Sequence, residues 1–251
     1  VTMLVLLPPS ETKRAGGAGA PWSSVALRLP ELTPQREAVV SALVELSRDE
    51  DAAANILKLS ARQRGEVAVN AALRSSPTMP AVDRYTGVLF DALDASSLDA
   101  RARRWLGEHV LIHSAPFGPV GALDPLPAYR LGAGASLPGL APLRRHWAEA
   151  VTSALGEAGA RFILDLRSEA YVALGPVPEG SASAYVRVVT TGADGEVRAL
   201  NHFNKHAKGA LVRRLAQERP RIASRGAFLR WTEDAGIAAS DAENGELRLT
   251  V

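Results

Sequence analysis

The chain of 251 residues contains no cysteine, which excludes a disulfide scaffold, thiolate ligation of zinc or an iron–sulfur cluster, and a cysteine nucleophile. It has no long apolar run either. The stretch at residues 3–9 falls far short of the ~20 residues a spanning helix needs, and no basic segment precedes it, so a soluble, cytoplasmic protein without a membrane partner is expected. Net charge is small: 29 Lys and Arg against 27 acidic residues leave a formal +2. That is too little for a generally basic protein, and any affinity for phosphate must come from clustering. Lysine itself is scarce, with only Lys13, Lys58, Lys205 and Lys208. In a chain biased so heavily toward arginine, a surviving lysine marks a place where a flexible primary ammonium with a tunable pKa is useful.

What is present is 47% hydrophobic residues in an alternating pattern of strands and helices. Residues 3–7 read as a buried strand ended by Pro8 and Pro9. Thr33 can cap a helix starting at Pro34 with helical apolar spacing at Val39, Val40, Leu43, Val44 and Leu46. Further helices are expected at about 49–58, 61–74, 88–94, 97–107, 140–157 and 204–218, with a short one through Tyr171. Strands are expected at 109–113, 161–165, about 184–190 and 196–200 around a turn at 192–195, and near 227–231 and 246–250. The Pro- and Gly-rich stretch 114–139 is too long for a routine connection. No linker or repeat divides the chain. The expectation is a single compact α/β (mixed α+β) domain with a mixed central sheet surrounded by helices.

Four segments could carry chemistry. Ser10 and Lys13 follow the first strand, where α/β sheets collect ligands; a solvated turn is the plain alternative. Ser-x-x-Lys also matches a β-lactamase nucleophile motif, but the partner signatures are missing. The second segment runs from Asn201 to Gly209. With Asn204 as helix cap, Lys205 and Lys208 fall in the first turn, where cations are disfavoured by ~0.3–1 kcal/mol each unless an anion is held there. Gly209 would permit close backbone approach. In the third, Ser114, Phe117, Gly118, Tyr129 and Arg130 supply a hydroxyl, a flat surface and a guanidinium for a phosphate with a planar group. The fourth places Ser168 and Tyr171 on one helical face past a strand end, with Asp165 as a possible cap. Well-packed loops and ordinary helix starts are the alternatives for both. His109 and His113 bracket a strand without an acidic pair, and His202 falls outside a helix capped at Asn204, so no metal site is expected. No Walker or dinucleotide fingerprint is present, and no cofactor is indicated.

Taken in order, these segments resemble the YaaA family of peroxide stress resistance proteins. The matching pieces are Pro9, Ser10 and Lys13; Tyr85, Thr86 and Gly87; Ser114 with Phe117 and Gly118; Leu123, Asp124 and Pro125; Tyr129, Arg130 and Leu131; Trp147; Ser168 with Tyr171; Phe203 through Gly209; and Asn244 through Leu247. The resemblance implies a family-specific fold with a positively charged cleft, a helix-hairpin-helix element, affinity for double-stranded or distorted DNA, and a role against oxidative damage linked to iron. Family members often carry Tyr where this chain has Phe117, and the loop 14–30 differs. The DNA-contacting element would fall within a helical insertion at about 34–75, where the junction carries Lys58, Arg62 and Arg64 but lacks a Gly-x-Gly hairpin.

Three functions follow as expectations. The first is a monomeric stress protein holding DNA through Lys58, Arg62, Arg64, Lys205 and Lys208. The second is an enzyme acting on a small nucleobase- or phosphate-bearing substrate, with Lys13, Tyr129, Lys205 and Lys208 as catalytic groups. Ser10, Tyr85, Ser114, Arg130, Ser168, Tyr171, Asn204 and Gly209 would bind its ligand. The third is a structural module without a site.

Overall fold

The structure, a computed structural model, describes residues 1–191, 197–198, 201–242 and 245–250, without the side chains of 190, 191, 197, 198, 201 and 202. In chain order the strands are β1 (Met3–Leu7), β2 (Gly19–Pro21), β3 (Pro77–Pro80), β4 (Val110–Ser114), β5 (Gly118–Gly121), β6 (Pro125–Leu126), β7 (Phe162–Asp165), β8 (Ser183–Thr191), β9 (Val197–Arg198), β10 (Ala239–Asp241) and β11 (Leu247–Thr250). The helices are α1 (Thr33–Leu46), α2 (Glu50–Ile56), α3 (Glu66–Ala71), α4 (Ala81–Arg84), α5 (Val88–Leu93), α6 (Ala100–His109), α7 (Leu143–Glu157), α8 (Glu169–Val172), α9 (Asn201–Glu218) and α10 (Arg225–Asp234).

Strand β1 is buried at all five positions, as an unbroken Leu/Val run covered on both faces should be. It lies between parallel β4 and β7, and β8 and then β11 continue the parallel set beyond β7. Antiparallel β5 and β10 close the two ends, giving the order β10-β11-β8-β7-β1-β4-β5, with β9 paired to β8. A small antiparallel sheet, β2-β3-β6, stands apart from it. Helix α6 packs on β1 and β4, α9 on β8, and α7 on β5, while α5 lies along α9. This is the mixed α/β architecture expected. Strands β1, β4 and β7 end near one level, so Ser10, Ser114 and Ser168 come from that carboxyl-end region, while β8 runs on to Thr191 and only its third residue, Tyr185, lies level with Asp165 at the end of β7.

Several elements differ from the expectation, each for a local reason. The 227–231 segment is helical, within α10. Ser224 caps it by accepting from Ala227 N–H at 3.2 Å, and Phe228 and Thr232 are buried four residues apart, a helical period. The 114–139 stretch is not one loop: Gly118 turns back, at φ +62°, to pair β5 with β4, and β6 joins the small sheet. The 61–74 helix divides into a 3-10 turn at Ala61–Gln63 and α3. His109 ends α6 rather than opening β4, and its Nδ1 lies 2.7 Å from Met3 O. Helix α9 begins at Asn201, so Asn204 lies inside it and is not its cap, and Lys205 and Lys208 belong to later turns. His202 is therefore helical. The turn expected at 192–195 and the motif residue Asn244 lie outside the described residues.

Three of the largest fully buried side chains are arginines, and they fasten the loops. Arg36 donates to the carbonyls of Phe117, Pro119, Leu29 and Arg28. Arg84 donates to those of Leu126, Arg14 and Pro77. Such guanidinium forks satisfy several backbone acceptors from separate loops at once.

Candidate functional site

Pro8 and Pro9 stop β1 and send the chain outward, so that Lys13 pairs with Tyr85 in an isolated antiparallel bridge. The Lys13 side chain folds back over this turn. Its Nζ donates to Ser10 O at 3.0 Å and Glu11 O at 3.2 Å, and it stands 4.0 Å from the centre of the Tyr129 ring and 5.6 Å from that of Tyr85. The two phenols are buried and share a hydrogen bond of 2.7 Å. Arg130 is set by Asn70, a fully buried side chain that accepts from Arg130 N–H at 2.7 Å and donates to Arg130 O at 2.9 Å. Its guanidinium reaches Glu11 at 3.4 Å.

These groups open onto a cleft of about 500 Å³ lined by Ser10, Glu11, Lys13, Lys58, Arg130, the Gly132 to Ala135 backbone and Tyr171. A second recess of about 250 Å³ shares Glu11 and Lys13 and adds Arg14, Arg62 and Glu66. Five cations thus line the two recesses against two carboxylates. Desolvation, and next the Arg130 charge, lower the Lys13 pKa to about 7. Burial raises the phenols of Tyr85, Tyr129 and Tyr171 well above their ordinary value. The site therefore offers an amine able to exchange a proton near neutrality beside phenols that stay neutral donors.

The sequence candidates distribute unevenly. Ser10, Lys13, Lys58, Arg130 and Tyr171 line the cleft, and Arg62 the adjoining recess. Tyr85 and Tyr129 form the wall under Lys13. Ser114 is buried, accepting from Phe117 N–H and donating to Gly118 O, and holds the β4–β5 turn. Arg64 is engaged by Glu50 and Asp51 on α2. Ser168 is exposed at the start of α8 and makes no capping bond. Asp165 is not a cap: it accepts from the backbone and guanidinium of Arg167, which also donates to His113 Nδ1 at 2.9 Å. Lys205 is exposed and Lys208 buried on α9, and neither lines the two recesses. Gly209 faces α5, where a Cβ would stand 2.0 Å from Leu89 O.

Asn70, Glu11 and the Gly132 to Ala135 backbone went unnoticed in the sequence. Only Asn70 left a signal, as the lone polar residue in the buried spacing Val67, Asn70, Leu73. Among the described residues no group of three or more His, Asp or Glu is placed to hold a metal ion. No helix among them is long and apolar enough to cross a membrane.

Comparison with known proteins places this geometry in a context. Residues 3–233 match the family model described as peroxide stress protein YaaA. A UPF0246 protein of Streptomyces coelicolor is 46% identical over 215 residues, covering 85% of this chain and 82% of its own. A UPF0246 protein of Corynebacterium efficiens is 42% identical over 253 residues, covering 99% of both chains, and one of Corynebacterium glutamicum is 38% identical over the same share.

Proposed function

The chain belongs to the family of peroxide stress protein YaaA, and from that premise we propose that it acts in the cytoplasmic response to peroxide as a monomer binding a phosphate-bearing ligand, DNA foremost, in the cleft at the end of β1. One observation carries this reading: Lys58, from the junction between α2 and α3, lines the same cleft as Lys13 and Arg130, and Arg62, from the same junction, lines the adjoining recess that shares Lys13. A phosphate entering there meets cations from both sides. The α2–α3 junction takes the part of the hairpin. Leu59 N–H bonds to Ala54 O at 2.8 Å and Lys58 N–H to Asn55 O at 3.1 Å, a Schellman closure with Lys58 at φ +53°, where glycine is usual. Holding a lysine in that costly conformation suits a residue wanted for its charge.

Salt titration of duplex DNA binding tests this. The logarithm of affinity should fall with the logarithm of salt by roughly 0.9 per phosphate neutralised. Replacing Lys58 and Arg62 with Ala should lower that slope by roughly 2 × 0.9. Absence of binding at low salt, or an unchanged slope in the double variant, counts against it.

The Lys13 ammonium over the Tyr129 ring favours a second reading: an enzyme acting on a small nucleobase- or nucleotide-like substrate, with Lys13 as base and Arg130 as anion clamp. Turnover of nucleosides or nucleotides by the wild type, lost in Lys13→Met, would select it; no turnover across such a panel would reject it.

A further inference from the structure

The Arg130 side chain is 19% exposed, yet among the described residues its guanidinium meets one acceptor, a Glu11 carboxylate oxygen at 3.4 Å. Arg103 and Arg213 are more exposed, at 26% and 28%, and each donates to three acceptors within 3.0 Å. Glu11 is no firm partner, since its side chain is 83% exposed and accepts no other side-chain hydrogen bond among the described residues. An exposed pair at that distance contributes little. A guanidinium has five N–H donors, and most of those on Arg130 are left for whatever enters the cleft that it lines.

The rest of the lining is of two kinds. Lys13 and Lys58 bring two more cations, against the single carboxylate of Glu11. Ile56, Leu57 and Tyr171 bring apolar surface, beside the Gly132 to Ala135 backbone. Nothing within the protein requires Gly132 or Gly134 to be glycine. Neither has a positive φ, and a Cβ on either would meet no atom within 4 Å. A surface that tracks phosphodiesters needs charge alone, whereas a cleft of about 500 Å³ with cations and apolar, unobstructed walls suits a small anion with a flat body.

We propose that the cleft holds a nucleoside 5′-monophosphate, its phosphate displacing Glu11 from Arg130 and its base lying against the Gly132 to Ala135 backbone. The proposal rests on the small-substrate reading of the same cleft and names the part of the ligand that each residue takes. A phosphate monoester carries a charge of about −1.5 to −2 at pH 7, which matches three cations less one carboxylate. Arg130 can grip two phosphate oxygens with parallel N–H donors, while Lys13 and Lys58 add charge. A flat ring approaches a peptide plane closely only where no side chain stands between, which is the use of Gly132 and Gly134. Glu11 is then a resident counter-ion: a dianion displaces it, whereas an uncharged nucleoside gains nothing at Arg130 and leaves it in place.

Calorimetric titration of the intact protein with AMP, GMP, CMP and UMP, the corresponding nucleosides and ribose 5-phosphate is the test. At least one monophosphate should bind roughly tenfold more tightly than both its nucleoside and ribose 5-phosphate. If none does, the proposal fails, even where duplex DNA binds. Gly132→Ala combined with Gly134→Ala should weaken that monophosphate roughly tenfold, with ribose 5-phosphate affinity and the denaturant midpoint unchanged, because the added methyls touch nothing in the protein. An unchanged affinity, or a loss shared by ribose 5-phosphate, overturns the placement of the base. Glu11→Gln should tighten monophosphate binding several-fold, and binding no tighter than wild type overturns the displacement. Turnover is read separately: a monophosphate that binds without reacting removes the enzyme reading and upholds this inference, while turnover of free nucleosides with no gain from a phosphate does the reverse.

Discussion

Lys13 and Lys58 show how much a single side chain carries here. Burial depresses the Lys13 pKa in the folded chain to about 7, below the 10.5 of the free side chain. Between those values the unfolded chain binds more protons than the folded one, so the Lys13 contribution to stability rises with pH from 7 to 10.5 and is at its least favourable below pH 7. The slope is at most about 1.4 kcal/mol per pH unit. Lys13→Met should flatten that rise and gain most relative to wild type at acidic pH, as read from denaturant midpoints across the window. Lys58 poses the opposite trade. Lys58→Gly should stabilise the fold by about 0.5–1 kcal/mol, because glycine takes positive φ without a Cβ penalty. The same variant should weaken DNA binding and lower its salt slope by roughly one phosphate. Affinity retained at full slope would show that Lys58 is held for another reason. Both lysines stood out by scarcity alone. Their environments did not, because Arg130 and the Gly132 to Ala135 backbone reach the cleft from a segment far along the chain from either lysine, which no local pattern registers.

At the scale of elements, α9 and α5 form the closest helix pair, and Gly209 permits it. Gly209→Ala would drive a Cβ into the Leu89 carbonyl, which is backbone and cannot step aside. A loss of about 3 kcal/mol is expected, near the upper end of overpacking costs, measurable as a lowered denaturant midpoint with unchanged m-value. A neutral result would mean that α5 slides freely on α9. Element type was readable wherever a period was long and unmixed: β1, α1, α7 and most of α9 follow from their apolar spacing. The period was misleading at 227–231, where a short Phe-Leu-Arg-Trp run suits a strand until Ser224 is recognised as a cap. The start of α9 was set three residues late because Asn204 is an attractive cap, yet the helix continues to Asn201 and leaves that amide oxygen buried. The two-residue β6 and three-residue β2 are too short for any period, and pair only because Arg84 and the β3 backbone are already in place.

Across the whole molecule, the mixed sheet with surrounding helices was legible as an architecture, and the rule that ligands collect at strand carboxyl ends drew attention to the segments that follow β1, β4 and β7. The buried arginines were not, since composition shows many arginines and marks none as internal. Arg84 joins the segment after Lys13, the start of β3 and the end of β6. Arg84→Met should leave those carbonyls without donors and cost roughly 3 kcal/mol, with calorimetry or denaturant melts as the readout. A change below ~0.5 kcal/mol would mean that water replaces the guanidinium. The phenols beside the cleft have a consequence in light absorption. Tyr85, Tyr129, Tyr171 and Tyr185 are all the tyrosines in the chain, and burial holds each above its free value. In an alkaline titration the half-buried Tyr185 leads. The other three give no phenolate band near pH 10, then colour together when the fold opens, so the chain carries its own optical gauge of alkaline unfolding.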